Sequence, residues 1–131
     1  MNRLTKILSL SLILSLTLLF ACKKDKNDAP SNNTHKVVFK AIGSAGTKIS
    51  NAVYTDGSGK AETFTSLNTQ TWTSNEYTIS SSAHVVSFGV SGTGIDANST
   101  LVVEIWIDGV KAADGKSTGT ILSPSATIAL K

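Results

Sequence analysis

Few residues in this chain could do chemistry, and the most telling is its single cysteine, Cys22. One thiol cannot make an intramolecular disulfide. A free thiol in an oxidising compartment is a liability unless it has a use. The other groups do not assemble into a catalytic set. His35 and His84 have no second His or Cys nearby at metal-ligand spacing. Serine is plentiful, but no Gly-x-Ser-x-Gly elbow presents one as a nucleophile. Glu62, Glu76 and Glu104 fall on separate segments, so spacing pairs no two carboxylates for acid/base work. The glycines at Gly43-x-x-Gly46 and Gly92-Thr93-Gly94 follow extended runs and open no helix, which a phosphate cradle requires. Asp56, Asp108 and Asp114 each precede glycine, and Asp96 lies in a Gly/Asn/Ser loop. Turn chemistry accounts for each Asp-Gly pair, and the Asp-x-Asp density of a Ca²⁺ loop is missing. The expectation is a non-enzymatic protein with no metal site and no cofactor.

The side chains that remain are aromatic. Trp106 alternates in phase with Thr100, Val102 and Glu104, opposite Leu101, Val103, Ile105 and Ile107. If the second set faces the core, Trp106, Val102 and Glu104 face away from it and form a patch for a partner. The competing reading is that a loop, or the segment 110–122, covers them. Trp72 in Thr71-Trp72-Thr73 reads as a core anchor, and Tyr54 fits either role. His84 reads as a core or rim histidine.

The position of Cys22 supplies its use. Arg3 and Lys6 precede an apolar run from Ile7 to Phe20, broken only by Ser and Thr, and Ala21 stands before the cysteine. A basic start, an apolar core and a small residue at the cut mark a secretory signal. The run is about 14 residues, short of the roughly 20 that a spanning helix needs. Leu19-Phe20-Ala21-Cys22 resembles the bacterial lipobox, with Phe20 where a smaller residue is usual. Cleavage before Cys22 and acylation of its thiol would tether the chain to a membrane through lipid. Residues 1–21 are then the signal peptide and residues 22–35 a lipidated flexible tether. The tether, beginning Cys-Lys-Lys-Asp-Lys-Asn-Asp, has no apolar periodicity and too little to bury to offset chain entropy. Lys23 rather than Asp follows the cysteine, which in the bacterial sorting rule directs a lipoprotein to the outer membrane. The Lys24-Asp25 pair resembles the surface-export signal of Bacteroidota lipoproteins.

Loss of Arg3 and Lys6 leaves ten basic against nine acidic residues. That near balance gives no clustered basic face, and no nucleic-acid partner is expected.

Residues 36–131 read as one β domain. Short alternating runs are separated by Gly, Asn, Asp and Ser, and none shows a helical apolar stripe. Strands are expected over 36–42, 49–55, 60–66, 71–73, 77–80, 84–90, 100–107, 110–113, 117–122 and 125–130, the shorter ones less regular. Asp56-Gly57-Ser58-Gly59 and Asp108-Gly109 are hairpin turns in this reading. The fold class is all-β: an immunoglobulin-like β-sandwich of about seven to nine short, mainly antiparallel strands. An open barrel around a ligand cavity is the structural alternative.

Several runs together resemble the small extracytoplasmic domain of the mycobacterial small membrane protein family, MmpS. They are Gly43-Ser44-Ala45-Gly46, Val53-Tyr54-Thr55-Asp56-Gly57, Thr71-Trp72-Thr73, Ile105-Trp106-Ile107-Asp108-Gly109-Val110 and Gly119, in the family's order across about residues 36–130. The resemblance implies an immunoglobulin-like sandwich outside the cytoplasm. Members with the mycobacterial arrangement assist exporters of lipids and siderophores, and this chain departs from them in carrying a lipobox instead of a spanning helix. The expected function is a membrane-anchored binding or accessory module. Its partner is either an envelope exporter or, at the cell surface, a carbohydrate or protein.

Overall fold

The computed structural model describes residues 33–131. The expected signal peptide, Cys22 and most of the expected tether lie outside them. Ten strands follow in order: β1 (Thr34–Gly43), β2 (Lys48–Asp56), β3 (Ala61–Phe64), β4 (Thr71–Thr73), β5 (Tyr77–Ser80), β6 (Val85–Thr93), β7 (Thr100–Ile107), β8 (Val110–Thr118), β9 (Ile121–Leu122) and β10 (Ser125–Ala129). A single 3₁₀ turn, Ser81–Ala83, is the one helical element among the described residues.

The strands form two antiparallel five-stranded sheets packed as a β-sandwich. In the first, β1 and β7 are central, β8 flanks β7, and β5 and β4 share the far edge of β1. In the second, β2 and β6 are central, β3 flanks β2, and β10 and β9 share the far edge of β6.

Period-two alternation decides what lies between the sheets. From the first sheet, Val37, Phe39 and Ala41 of β1 and Leu101, Val103 and Ile105 of β7 are fully buried. Ala52, Tyr54, Val86, Phe88 and Val90 meet them from the second. Phe39 is the hub of the aromatic packing, with ring centroids 4.8 Å from Tyr54 and 5.0 Å from Phe88. Trp72 packs between Phe64 and Phe88, at 4.9 and 5.8 Å, which places it against the core as expected. Tyr54, left open by the sequence, is a core residue at 1 % exposure.

Two turns obey their chemistry. Asp108 and Gly109 both take positive φ, 51° and 81°, as the type I′ hairpin joining β7 to β8 requires. Asp56 caps the β2–β3 turn, its Oδ1 accepting from the amides of Ser58 and Lys60.

Several expectations need correction. Asp114-Gly115 is not a turn: it pairs with Glu104 and Val103 inside β8, which runs unbroken from Val110 to Thr118. Gly115 is there for closeness, because a Cβ on it would lie 2.0 Å from the carbonyl oxygen of Ser125 in β10. His84 does not open β6; it is exposed, with φ 61°, at the end of the 3₁₀ turn. Gly92 and Thr93 belong to β6 rather than to the following loop. Ile107 is only partly buried, because the hairpin end leaves the sandwich there.

Candidate functional site

β1 and β7 lie side by side in a register that pairs Val38 with Trp106, Lys40 with Glu104 and Ile42 with Val102. Their neighbours Val37, Phe39, Val103 and Ile105 are buried, so these six side chains project from the outer face of the first sheet. On the other side of β7, Lys111 pairs with Trp106, Asp114 with Glu104 and Lys116 with Val102. A β-bulge between Lys111 and Ala113 sets this phase. Trp106, Val102 and Glu104 therefore share one outward face, each partly buried by its neighbours. β8 runs beside β7 and not across it, so the segment after the hairpin flanks the patch without covering it.

The indole is held in a definite pose. Its Nε1–H donates to Glu104 Oε2 at 2.7 Å. Glu104 is in turn 3.6 Å from Lys111 Nζ, and Lys111 is 3.9 Å from Asp114. Lys40 places its ammonium 3.9 Å from the ring centroid, a cation–π contact. Beside the ring is a groove of about 370 Å³ lined by Lys36, Val38, Lys40, Glu76, Trp106 and Gly109. Lys36 Nζ is fixed at the margin by Thr78 Oγ1 at 2.9 Å and Glu76 at 3.4 Å. An aromatic plane, an aliphatic floor at Val38 and charges of both signs make this a surface for noncovalent recognition.

Lys36, Val38, Lys40 and Glu76 were not among the residues expected here. The β1 alternation places the first three on one face. Nothing in the sequence indicates that this face lies beside Trp106, since the strands are separated by more than half of the domain. Glu76 comes from the β4–β5 connection, which shows no periodicity.

A second polar cluster closes the end of the sandwich where β1 begins. His35 Nδ1 is 2.8 Å from Asp108 Oδ2, and Nε2 is 3.2 Å from the carbonyl oxygen of Lys131. The hydrogen bond to Asp108, and then that to Lys131, raise the His35 pKa above its ordinary value. The same contact, with the Lys36 amide on Oδ1 at 2.8 Å, lowers that of Asp108. In the interior, burial and then the Tyr54 O–H bond to Glu62 at 3.2 Å push the Tyr54 phenol well above its usual range. Among the described residues no group of three or more His, Cys, Asp or Glu side chains could hold a metal ion. No family model matches the chain, and no curated protein matches it.

Proposed function

We propose that the chain is a bacterial lipoprotein, anchored by lipid on Cys22 at the outer membrane, whose sandwich acts as a non-enzymatic binding or accessory module through the Trp106 face. The observation that carries the binding role is the placement of Trp106 on the uncovered outer face of β7, pinned by Glu104 and Lys40 beside an open groove. A tryptophan held in one pose loses little freedom on contact, which favours its use as an anchor. The anchor itself rests on the sequence around Cys22. Resemblance to the MmpS extracytoplasmic domain supports an envelope exporter as the partner. The mixed-sign groove also suits a surface carbohydrate or protein.

The anchoring is tested with Cys22→Ser in the native host. Labelled palmitate should enter the wild-type chain and not the variant, and the variant should leave the detergent-extracted membrane fraction. Equal palmitate incorporation by both chains would overturn the lipoprotein assignment. Trp106→Ala then tests the face: it should weaken association with the envelope partner while the lipidated chain stays in its membrane.

A further inference from the structure

The outer face of the second sheet differs in kind from the Trp106 face. Where the first sheet displays Lys36, Lys40, Glu104 and Lys111, the centre of the second displays hydroxyls, amides and small aliphatic groups. Cross-strand pairing sets these in rows. Thr63, Val53, Gly89 and Ser125 stand abreast across β3, β2, β6 and β10. Asn51 and Ser91 form the next row, with Asn51 Nδ2 3.4 Å from Ser91 Oγ. Thr55, Ser87 and Thr127 form the row on the other side, where Ser87 and Thr127 bond each other at 2.9 Å.

A groove of about 360 Å³ runs over the middle rows, and none of its eleven lining residues is charged or aromatic. Six of them carry a side-chain hydroxyl or amide. Among the described residues, no hydrogen bond engages the side-chain hydroxyls of Thr63, Thr65, Ser123 or Ser125.

Gly89 forms the floor, and nothing in the packing requires a glycine there. A Cβ on Gly92 would lie 2.6 Å from the Lys48 carbonyl oxygen, and one on Gly115 2.0 Å from that of Ser125. A Cβ on Gly89 would meet Ser125 and Val53 carbons at 3.9 Å and the Pro124 carbonyl oxygen at 4.0 Å, all ordinary contacts, and its φ is not positive. A glycine at the centre of a strand weakens it and often marks a bulge, a bend or the close approach of a ligand or another backbone; the pairing of β6 is regular at Gly89. Here its effect is to keep the groove open.

Most of the groove's surface is carbon, and the polar groups that interrupt it are uncharged. Ser, Thr and Asn side chains both donate and accept hydrogen bonds and carry no charge. They suit a ligand whose own groups do the same, and give a carboxylate, phosphate or ammonium no counter-ion. A protein partner would be expected to meet aromatic, Met or Arg side chains, and this groove has none. We propose that the groove over Val53 and Gly89 binds a neutral glycan, its hydroxyls bonding the Ser, Thr and Asn side chains and the apolar side of a sugar ring resting on Val53. This surface is distinct from the Trp106 face and does not depend on it.

The purified full chain, in a detergent without a sugar headgroup, is titrated with maltohexaose, cellohexaose, xylohexaose and mannohexaose, and with hexagalacturonate as the charged control. Binding is read by calorimetry. At least one neutral hexasaccharide should bind, and hexagalacturonate should bind more weakly. Gly89→Val should fill the groove and weaken binding by about tenfold or more, while Ile95→Ala, at an exposed side chain outside both grooves, leaves it unchanged. Ser91→Ala combined with Ser125→Ala, which keeps the groove's shape, should weaken it in the same direction even if Gly89→Val fails to fold. Failure of every neutral hexasaccharide to bind, preference for hexagalacturonate, or unchanged affinity in the folded variants would overturn the proposal. So would a self-association of the wild-type chain that Gly89→Val abolishes, which would identify a second copy as the occupant.

Discussion

His35 Nδ1 and Asp108 Oδ2 are 2.8 Å apart although 73 residues separate them in the chain. The contact joins the start of β1 to the turn between β7 and β8, and the Lys131 carbonyl on the other ring nitrogen adds the end of the described chain. With acceptors at both nitrogens, the doubly protonated imidazolium is the form this site favours.

That arrangement predicts a pH-dependent stability. The His35 pKa is raised above 6.5, so its contribution is complete below 6.5 and is lost as pH rises through the folded value. The Asp108 pKa is lowered below 3.8, so its contribution holds above 3.8 and is lost as pH falls through its folded value. Asp108→Asn keeps the positive-φ turn and removes the charge. Its melting temperature should fall below wild type at about pH 5–6, with the gap closing toward about pH 9. A gap that stays constant over that range would show that the pair does not act through ionisation.

Tyrosine ionisation should report the integrity of the core. Both tyrosines of the chain, Tyr54 and Tyr77, have pKa values raised above 10.0, each chiefly by burial and then by Glu62. Protonated phenols are favoured in the folded state, so stability should fall as pH rises beyond 10.0. In a spectrophotometric titration, tyrosinate absorbance should appear together with loss of the β circular-dichroism signal. A step near 10 amounting to both tyrosines, in a chain that stays folded, would contradict the buried placement of Tyr54.

Adjacent residues of β7 should respond differently to truncation. Ile105 is fully buried, and Ile105→Ala should cost about 2–5 kcal/mol. Trp106 is half-buried on the outer face and packs against Lys40 and Glu104. Trp106→Ala should cost less, about 1–2 kcal/mol. Denaturant melts of the two variants check this, and a larger loss for Trp106 would mean that its face is packed rather than available.

Two glycines should separate in the same assay. Gly115→Ala places a methyl against the Ser125 carbonyl and should cost roughly 2 kcal/mol or more, since β8 and β10 must move apart. Gly89→Ala meets no such obstacle and should be neutral or stabilising by up to about 1 kcal/mol. Equal losses would show that the two positions do not differ in packing.

Much of the fold was legible in the sequence because its signals are local. Alternation in Lys36–Ile42 and Thr100–Ile107 puts every second side chain on one face, and Asp108-Gly109 meets the positive-φ demand of a two-residue hairpin. These features yield an all-β sandwich, the buried set around Ile105 and the outward phase of Trp106, Val102 and Glu104. The lipobox reading of Cys22 is equally local and owes nothing to the folded domain.

Tertiary structure decided whatever depends on which strands become neighbours. Asp114-Gly115 carries the same turn signal as Asp108-Gly109. Pairing with β7 and the pressure of β10 hold it in a strand, a contact between segments that no window of sequence contains. Lys40 joins Trp106, and His35 joins Asp108, because β1 pairs with β7 across a long stretch of chain. The uncharged groove exists only because four strands set Thr63, Val53, Gly89 and Ser125 abreast. Residue type and period determine which way a side chain points within its own strand. What it meets there is set by long-range pairing, where the burial of both sheets' apolar faces selects one register among many.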